Sequence, residues 1–154
     1  MPPQLVAAFT QAQRVFSLYA PQPDQALVAA FMAEGHLATH LRRMRAIYRE
    51  RSLLLADGLQ QRIGDRFIIP HVTAGLHMTI RPRVPFDDVA AAATLLRRGF
   101  DCPALSRYCL GPARQGLILG FGNTRTERLP ACAEAVAEAI DAACERGERP
   151  ATMQ

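Results

Sequence analysis

The stretch RFIIPHVTAGLHMTI, residues 66–80, decides the fold class of this 154-residue chain. Upstream of it, apolar residues recur every three or four positions, as they do on one face of a helix. Within the stretch this period is lost, and RFIIP and TAGLHMTI predict two short strands joined by a tight connection. Pro82 and Pro85 end the second strand. The chain is therefore predicted to change from helices to strands at about residue 66.

Three helices are predicted before this stretch. Residues 2–20 form an amphipathic helix, and a second short helix is capped by Asp24, runs through Phe31 and ends near Gly35. A long third helix extends from His36 to about Arg62, with Gly64 as its C-cap. Its apolar stripe consists of Leu37, Leu41, Met44, Tyr48, Leu55 and Leu59.

The segments after residue 80 include both predicted helices and predicted strands. Residues 86–99 predict a helix with Asp87 and Asp88 in its first turn, where carboxylates favour the helix dipole. Residues 103–109 and 116–122 are strand candidates, and residues 126–147 form a terminal helix. The order, helices and then β-β-α-β-β-α, implies an α+β fold: a small, mostly antiparallel sheet covered by helices and preceded by long N-terminal helices.

The composition excludes several kinds of protein. Hydrophobic residues make up 49% of the chain and charged residues 21%, which is typical of globular proteins. No apolar run approaches the roughly 20 residues that span a bilayer, so we predict a cytoplasmic protein without a membrane partner. All 18 basic residues are arginine. Because lysine is absent, no side chain of this chain can form a Schiff base.

The four cysteines, Cys102, Cys109, Cys132 and Cys144, do not indicate a zinc site. They contain no C-x-x-C pair and have no histidine partners at zinc-finger spacing. The chain also lacks a secretion signal, which argues against a disulfide framework. We expect reduced and mostly buried thiols.

The segment EGHLATHLRRMRAIYRERS, residues 34–52, raises the question of a metal or nucleic-acid site. His36 and His40 are four positions apart, as in zinc proteases, but leucine follows His36 where those enzymes have a glutamate base. The five arginines of the segment lie beside a continuous core stripe, without a helix-turn-helix pattern or exposed aromatic residues. We interpret the histidines as interface residues and the arginines as surface or interdomain ion-pair partners.

Arg107 and Tyr108, in SRYCLGP, stand beside a glycine turn. This setting suits recognition of a carboxylate or a phosphate, although a rim arginine with a packed aliphatic stem fits equally well. No nucleophile motif, Walker loop or dinucleotide-binding glycine motif occurs in the chain. We therefore predict no catalytic residues and no metal site.

Three segments of the chain resemble one family. FMAEGHLATHLRRMRAIYRERSLLL, TAGLHM and LSRYCLGPARQGLILGFGN are similar, in order, to segments in the C-terminal part of MocR-type regulators. These bacterial transcription factors of the GntR superfamily join a winged helix-turn-helix domain to a region similar to fold-type-I aminotransferases, which depend on pyridoxal phosphate. The resemblance extends from about residue 2 to residue 146.

The resemblance implies that the chain is a fragment. Residues 1–50 then correspond to helices that lead out of a large cofactor domain, residues 51–146 to the small aminotransferase-like domain, and residues 147–154 to a disordered tail. The winged helix and the lysine that binds pyridoxal phosphate lie upstream in this family. We therefore expect no cofactor-binding residues in this chain, and DNA contact only through the absent winged helix. The expected partner is the missing large domain or a second subunit of a homodimer.

Two departures from the family pattern bear on activity. Cys109 stands where the family often has a second tyrosine, and Ile118 stands where many aminotransferases carry a carboxylate-binding arginine. Our leading hypothesis is an effector-sensing part of a regulator without catalysis of its own, in which Arg107 and Tyr108 face the effector. The alternatives are the small domain of a genuine aminotransferase, such as one acting on 2-aminoadipate, and a standalone basic binding module.

Overall fold

The computed structural model describes residues 1–16, 21–72 and 74–147, apart from the side chains of residues 145–147. Within this part the chain forms two compact units, which divide between Met44 and Arg45. The predicted tail, residues 147–154, lies outside the described residues from 148 onward. No helix of the described part is long and apolar enough to cross a membrane.

The first unit is helical. Helix α1 spans Pro3–Phe16 and helix α2 spans Gln22–Ala33, and neither helix buries a residue. The predicted continuation of α1 through residues 17–20 lies outside the described residues. Asp24 is not the cap of α2, because the helix begins earlier, with Pro21 as its N-cap, and Asp24 lies in the first turn. Gly35, with a φ of 79°, makes the turn that leads into α3.

Helix α3 spans His36–Ile63, close to the predicted range, and extends from the first unit into the second. The second unit continues with strands β1 (Phe67–Ile68) and β2 (His77–Pro82), helix α4 (Asp88–Arg97), strand β3 (Leu117–Gly120) and helix α5 (Leu129–Gly147). The strands form one antiparallel sheet in the order β1-β2-β3. The predicted α+β class is confirmed.

One face of the sheet supplies the core of the second unit. Met78 and Ile80 of β2 and Leu117 and Leu119 of β3 are buried, because alternate residues of a strand point to the same face. They cluster with buried residues of the three surrounding helices, among them Leu55, Leu59, Ile63, Leu95, Val136 and Ile140. The helices therefore cover one side of a small sheet, as the sequence predicted.

The predicted strand at residues 103–109 is wrong. Leu105–Tyr108 is a 3-10 turn, and the segment contributes a single isolated bridge between Ala104 and Leu117. Ser106 explains the difference, because its backbone N–H and its hydroxyl both donate hydrogen bonds to the carboxylate of Asp88. A residue whose backbone N–H is used in this way cannot continue a strand ladder.

Candidate functional site

Arg107 and Tyr108 lie together on the 3-10 turn, and both side chains are exposed. Tyr108 keeps 66% of its surface accessible. The turn is short and closes on itself, since the Arg107 N–H donates to the Ala104 carbonyl at 3.3 Å and the Cys109 N–H donates to the Ser106 carbonyl at 3.3 Å. An arginine and a tyrosine displayed in this way could bind a carboxylate or a phosphate.

A buried carboxylate anchors the turn that carries these two side chains. Asp88, the first residue of α4, is only 3% exposed. Its Oδ1 accepts a hydrogen bond from the Ser106 hydroxyl at 2.8 Å, and its Oδ2 accepts from the backbone N–H groups of Ser106 and Gly116, both at 3.0 Å. Three donors thus compensate for removing the carboxylate from water.

The sequence reasoning missed this role of Asp88. It assigned both Asp87 and Asp88 to the first helical turn, but in the structure the two residues have different roles. Asp87 is the N-cap and accepts a hydrogen bond from the Ala90 N–H at 2.9 Å, while Asp88 faces inward. Two adjacent carboxylates at the start of an apolar helix could have indicated this role. One residue is enough to cap the helix, so the second carboxylate is available for another contact.

The start of β3 holds the other side of the turn. The Leu105 N–H donates to the Gly116 carbonyl at 2.9 Å, and the Ile118 N–H donates to the Pro103 carbonyl at 3.0 Å. Gly116 is therefore bonded through its carbonyl to the turn and through its N–H to Asp88. These bonds fix the backbone beneath Arg107 and Tyr108.

The segment at residues 34–52 does not form a metal centre with other described residues. The described part of the chain has no group of three or more histidine, cysteine, aspartate or glutamate side chains placed to hold a metal ion. Within the first unit, His36 Nε2 lies 3.2 Å from a carboxylate oxygen of Glu34, and its ring centroid lies 5.6 Å from that of Phe31. His40 is exposed.

One arginine of that segment has a role that its sequence did not reveal. Arg51 is half-buried, and its guanidinium donates to the Gly122 carbonyl at 2.6 Å and to the Thr126 hydroxyl at 3.5 Å. The sequence pattern predicts surface or interdomain ion-pair partners for these arginines. Arg51 instead bonds neutral oxygens of the loop that follows β3, more than 70 residues along the chain.

All four cysteines are free, and all four are half-buried rather than mostly buried. The pKa of the Cys102 thiol is raised from 9.0 to about 12, mainly by burial and in smaller part by the nearby Asp101 carboxylate and Cys132. Burial also raises the pKa of Cys132, against an opposing effect of Arg128. Both thiols are therefore protonated, and poorly nucleophilic, at neutral pH.

The raised pKa of Cys102 predicts an unusual pH dependence of its alkylation. Only the thiolate reacts, so the rate at Cys102 in the folded protein should keep rising about tenfold per pH unit beyond pH 9. In the urea-unfolded chain the rate should level off near the ordinary thiol pKa. Mass spectrometry of iodoacetamide-treated protein gives both profiles, and a plateau near pH 9 in the folded state would contradict the assignment.

The side chains of this chain do not fit a covalent role towards pyridoxal phosphate. That cofactor is held as an imine of a lysine, and all 18 basic residues here are arginine. Arginine can bind the phosphate group but cannot form the imine. No catalytic step through the cofactor can therefore be assigned to these residues.

Comparison with solved structures identifies the class of fold. The alpha-aminoadipate aminotransferase LysN of Thermus thermophilus, solved with N-(5'-phosphopyridoxyl)-L-leucine, matches 94% of this chain and 37% of its own chain, with a TM-score of 0.78 and 16% identity. The multiple substrate aminotransferase of Thermococcus profundus matches 94% of this chain and 36% of its own, with a TM-score of 0.79 and 15% identity. The chain has an aminotransferase-like fold.

Comparison of sequences adds the regulator family. The probable rhizopine catabolism regulatory protein MocR of Rhizobium meliloti is 33% identical over 127 residues, which are 80% of this chain and 25% of that protein. The pyridoxine biosynthesis regulator PdxR of Corynebacterium glutamicum is 33% identical over 64% of this chain and 21% of its own length. The HTH-type regulator YhdI of Bacillus subtilis is 22% identical over 82% of this chain and 27% of its own length. No protein-family model matches the chain.

These similarities confirm the resemblance predicted from the sequence. The chain is an aminotransferase-like region of the kind found in MocR-type regulators of the GntR superfamily, and it spans about a quarter of the length of the curated relatives it matches.

Proposed function

We propose that this chain is the small-domain part of the effector-sensing, aminotransferase-like region of a longer MocR-type regulator. The observation that carries the proposal is the combination of 33% identity to MocR with an aminotransferase-like fold in a chain without lysine. The longer protein would hold pyridoxal phosphate and bind DNA through other residues, as a cytoplasmic dimer. The alternatives, a genuine aminotransferase and a standalone basic module, have no comparable support.

The exposed apolar faces of the first unit support a covering partner. Phe9 and Phe16 of α1 and Leu27 and Val28 of α2 are each more than half exposed. Exposed apolar surface of this extent typically marks an interface. Under the proposal, residues 1–50 lead out of the large domain of the same protein, and that domain or a second subunit covers these side chains.

In this proposal, Arg107 and Tyr108 face the effector. Their turn is rigidly bonded to Asp88 and to the start of β3, while the two side chains remain exposed. Ile118, on the neighbouring strand, offers no charge to an amino-acid carboxylate, and we assign that contact to Arg107 because it is an exposed arginine on a fixed turn. Binding an effector here would close the small domain on the large one and alter DNA binding.

The test is to express the reading frame that contains this chain together with the DNA upstream of Met1. We expect the product to bind promoter DNA in a manner that depends on pyridoxal phosphate, and to show no transaminase activity towards 2-aminoadipate. Arg107→Gln should weaken the effector response at least about tenfold, because it removes a charged hydrogen-bond donor, and Arg97→Gln is the matched control.

Two results would contradict the proposal. The first is transamination by the longer product without DNA binding, which would favour the enzyme. The second is salt-sensitive binding of duplex DNA by the 154-residue chain alone, which would favour the basic module.

A further inference from the structure

A cleft of about 430 Å³ lies within the second unit, away from the turn that carries Arg107 and Tyr108. The loop after α4, the end of β3 and the first two turns of α5 form its walls. Its lining is mixed: the buried side chains of Leu55, Leu119 and Val136 and the thiols of Cys102 and Cys132 lie beside polar residues. The volume falls in the range of small-molecule sites, about 300–1,000 Å³.

The rim of this cleft carries excess positive charge. Arg125 and Arg128 line it, whereas Asp101 is the one acidic residue of the lining. Among the residues that the structure describes, the arginines that form ion pairs with carboxylates are Arg66 and Arg98. Arg128 immediately precedes α5, whose N-terminus adds partial positive charge, and Arg125 precedes the 3-10 turn Thr126–Arg128 that leads into this helix. An anion at the rim would therefore meet two arginines and a helix dipole.

The arginine-bearing wall is fixed in place. Arg51 of α3 donates to the Gly122 carbonyl and to the Thr126 hydroxyl, which lie on either side of the rim residues 123–125. On the opposite wall, Phe100 and Cys102 pack against the core. A site whose walls are held by such contacts loses less entropy when it binds a ligand.

The cleft also lies on a different side of the sheet from Ile118. Leu119 lines the cleft and is buried in the helix-covered core, and successive residues of a strand point to opposite faces. The family resemblance places the carboxylate-binding arginine of many aminotransferases at the position of Ile118. The cleft is therefore separate from that position.

We propose that this cleft binds a small organic anion, a carboxylate on a compact aliphatic body, with Arg125 and Arg128 holding the acid group and the apolar part of the lining holding the body. Charge-assisted hydrogen bonds from arginine are the strong component of such recognition. Burial of the aliphatic body adds favourable free energy in proportion to the apolar area removed from water. The site does not depend on the regulator assignment, because all of its residues belong to the second unit.

Alkylation of Cys132 reports on occupancy of the cleft. The probe is hexanoate, with hexylammonium as a ligand of the same body and opposite charge. At a hexanoate concentration about three times its Kd, mass action leaves about a quarter of the clefts open, so alkylation of Cys132 should slow about fourfold. Cys109 does not line the cleft and should react at an unchanged rate, which provides an internal control in the same spectra.

The arginines are tested with the double variant Arg125→Gln/Arg128→Gln. Both residues are exposed, so the fold should survive, and circular dichroism verifies this. The Kd of hexanoate should rise at least about tenfold. The matched control is Arg42→Gln/Arg43→Gln, which makes the same change of charge at exposed positions of α3 and should leave the Kd unchanged.

Several results would overturn the proposal. It fails if hexanoate gives Cys132 no protection, if hexylammonium protects as well as hexanoate, or if Cys109 is protected to the same degree. It also fails if protection persists undiminished in the Arg125/Arg128 variant. The proposal is supported if hexanoate but not hexylammonium slows alkylation, if the effect is confined to Cys132, and if it disappears in the Arg125/Arg128 variant.

Discussion

Replacing Asp88 with alanine is expected to lower the free energy of unfolding by about 3 kcal/mol, a large part of the stability of a small domain. The substitution removes the acceptor of three hydrogen bonds and leaves the N–H groups of Ser106 and Gly116 without their partner. Each unsatisfied buried donor costs about 1–3 kcal/mol. Relief from burying a carboxylate offsets part of this loss. Urea unfolding measures the difference.

The neighbouring residue provides the control. Asp87 is also an aspartate at the start of α4, but it is exposed and accepts one capping hydrogen bond, so Asp87→Ala should cost about 1 kcal/mol. Amide hydrogen exchange locates the effect, since protection at Ser106 and Gly116 should fall in Asp88→Ala and persist in Asp87→Ala. Equal losses of stability in the two variants would mean that Asp88 acts only as a helix-terminal charge.

Local sequence patterns predicted the helices and the two longer strands because each has a repeating apolar face. Met78 and Ile80 alternate in β2, and Leu117 and Leu119 alternate in β3, and all four are buried. The same reasoning predicted an amphipathic α1, although its apolar side chains are exposed in the described structure. Periodicity identifies the face of an element but not what covers it.

The sequence could not predict the features that depend on contacts between distant residues. The 3-10 turn at Leu105–Tyr108 replaces a strand because of hydrogen bonds to Asp88, 18 positions earlier. The cleft depends on Arg51 bonding Gly122, 71 positions later. The spacing of apolar residues along the sequence carries no information about such long-range pairs. Arg107 and Tyr108 were selected for their chemistry beside a glycine, and their effector-facing role stays a prediction.

Gly116→Ala is expected to destabilise the second unit by about 3 kcal/mol, because the added methyl group has no room. A Cβ at position 116 would lie 2.5 Å from the carbonyl oxygen of Ile80 and 3.2 Å from Cδ2 of Leu105. The Leu105 side chain can adjust, but the Ile80 oxygen belongs to the backbone of β2, which pairs with β3 at this point. The start of β3 must therefore move.

Gly111→Ala is the matched control for this clash, since it lies in the same loop between the turn and β3, and a Cβ there would contact nothing within 4 Å. Its effect should stay within about 0.5 kcal/mol. Because Gly116 is bonded both to Asp88 and to Leu105, its displacement should also raise amide exchange at Leu105 and Ser106. If Gly116→Ala unfolds at the same urea concentration as Gly111→Ala, the start of β3 is pliable, and the turn that carries Arg107 and Tyr108 is held by Asp88 alone.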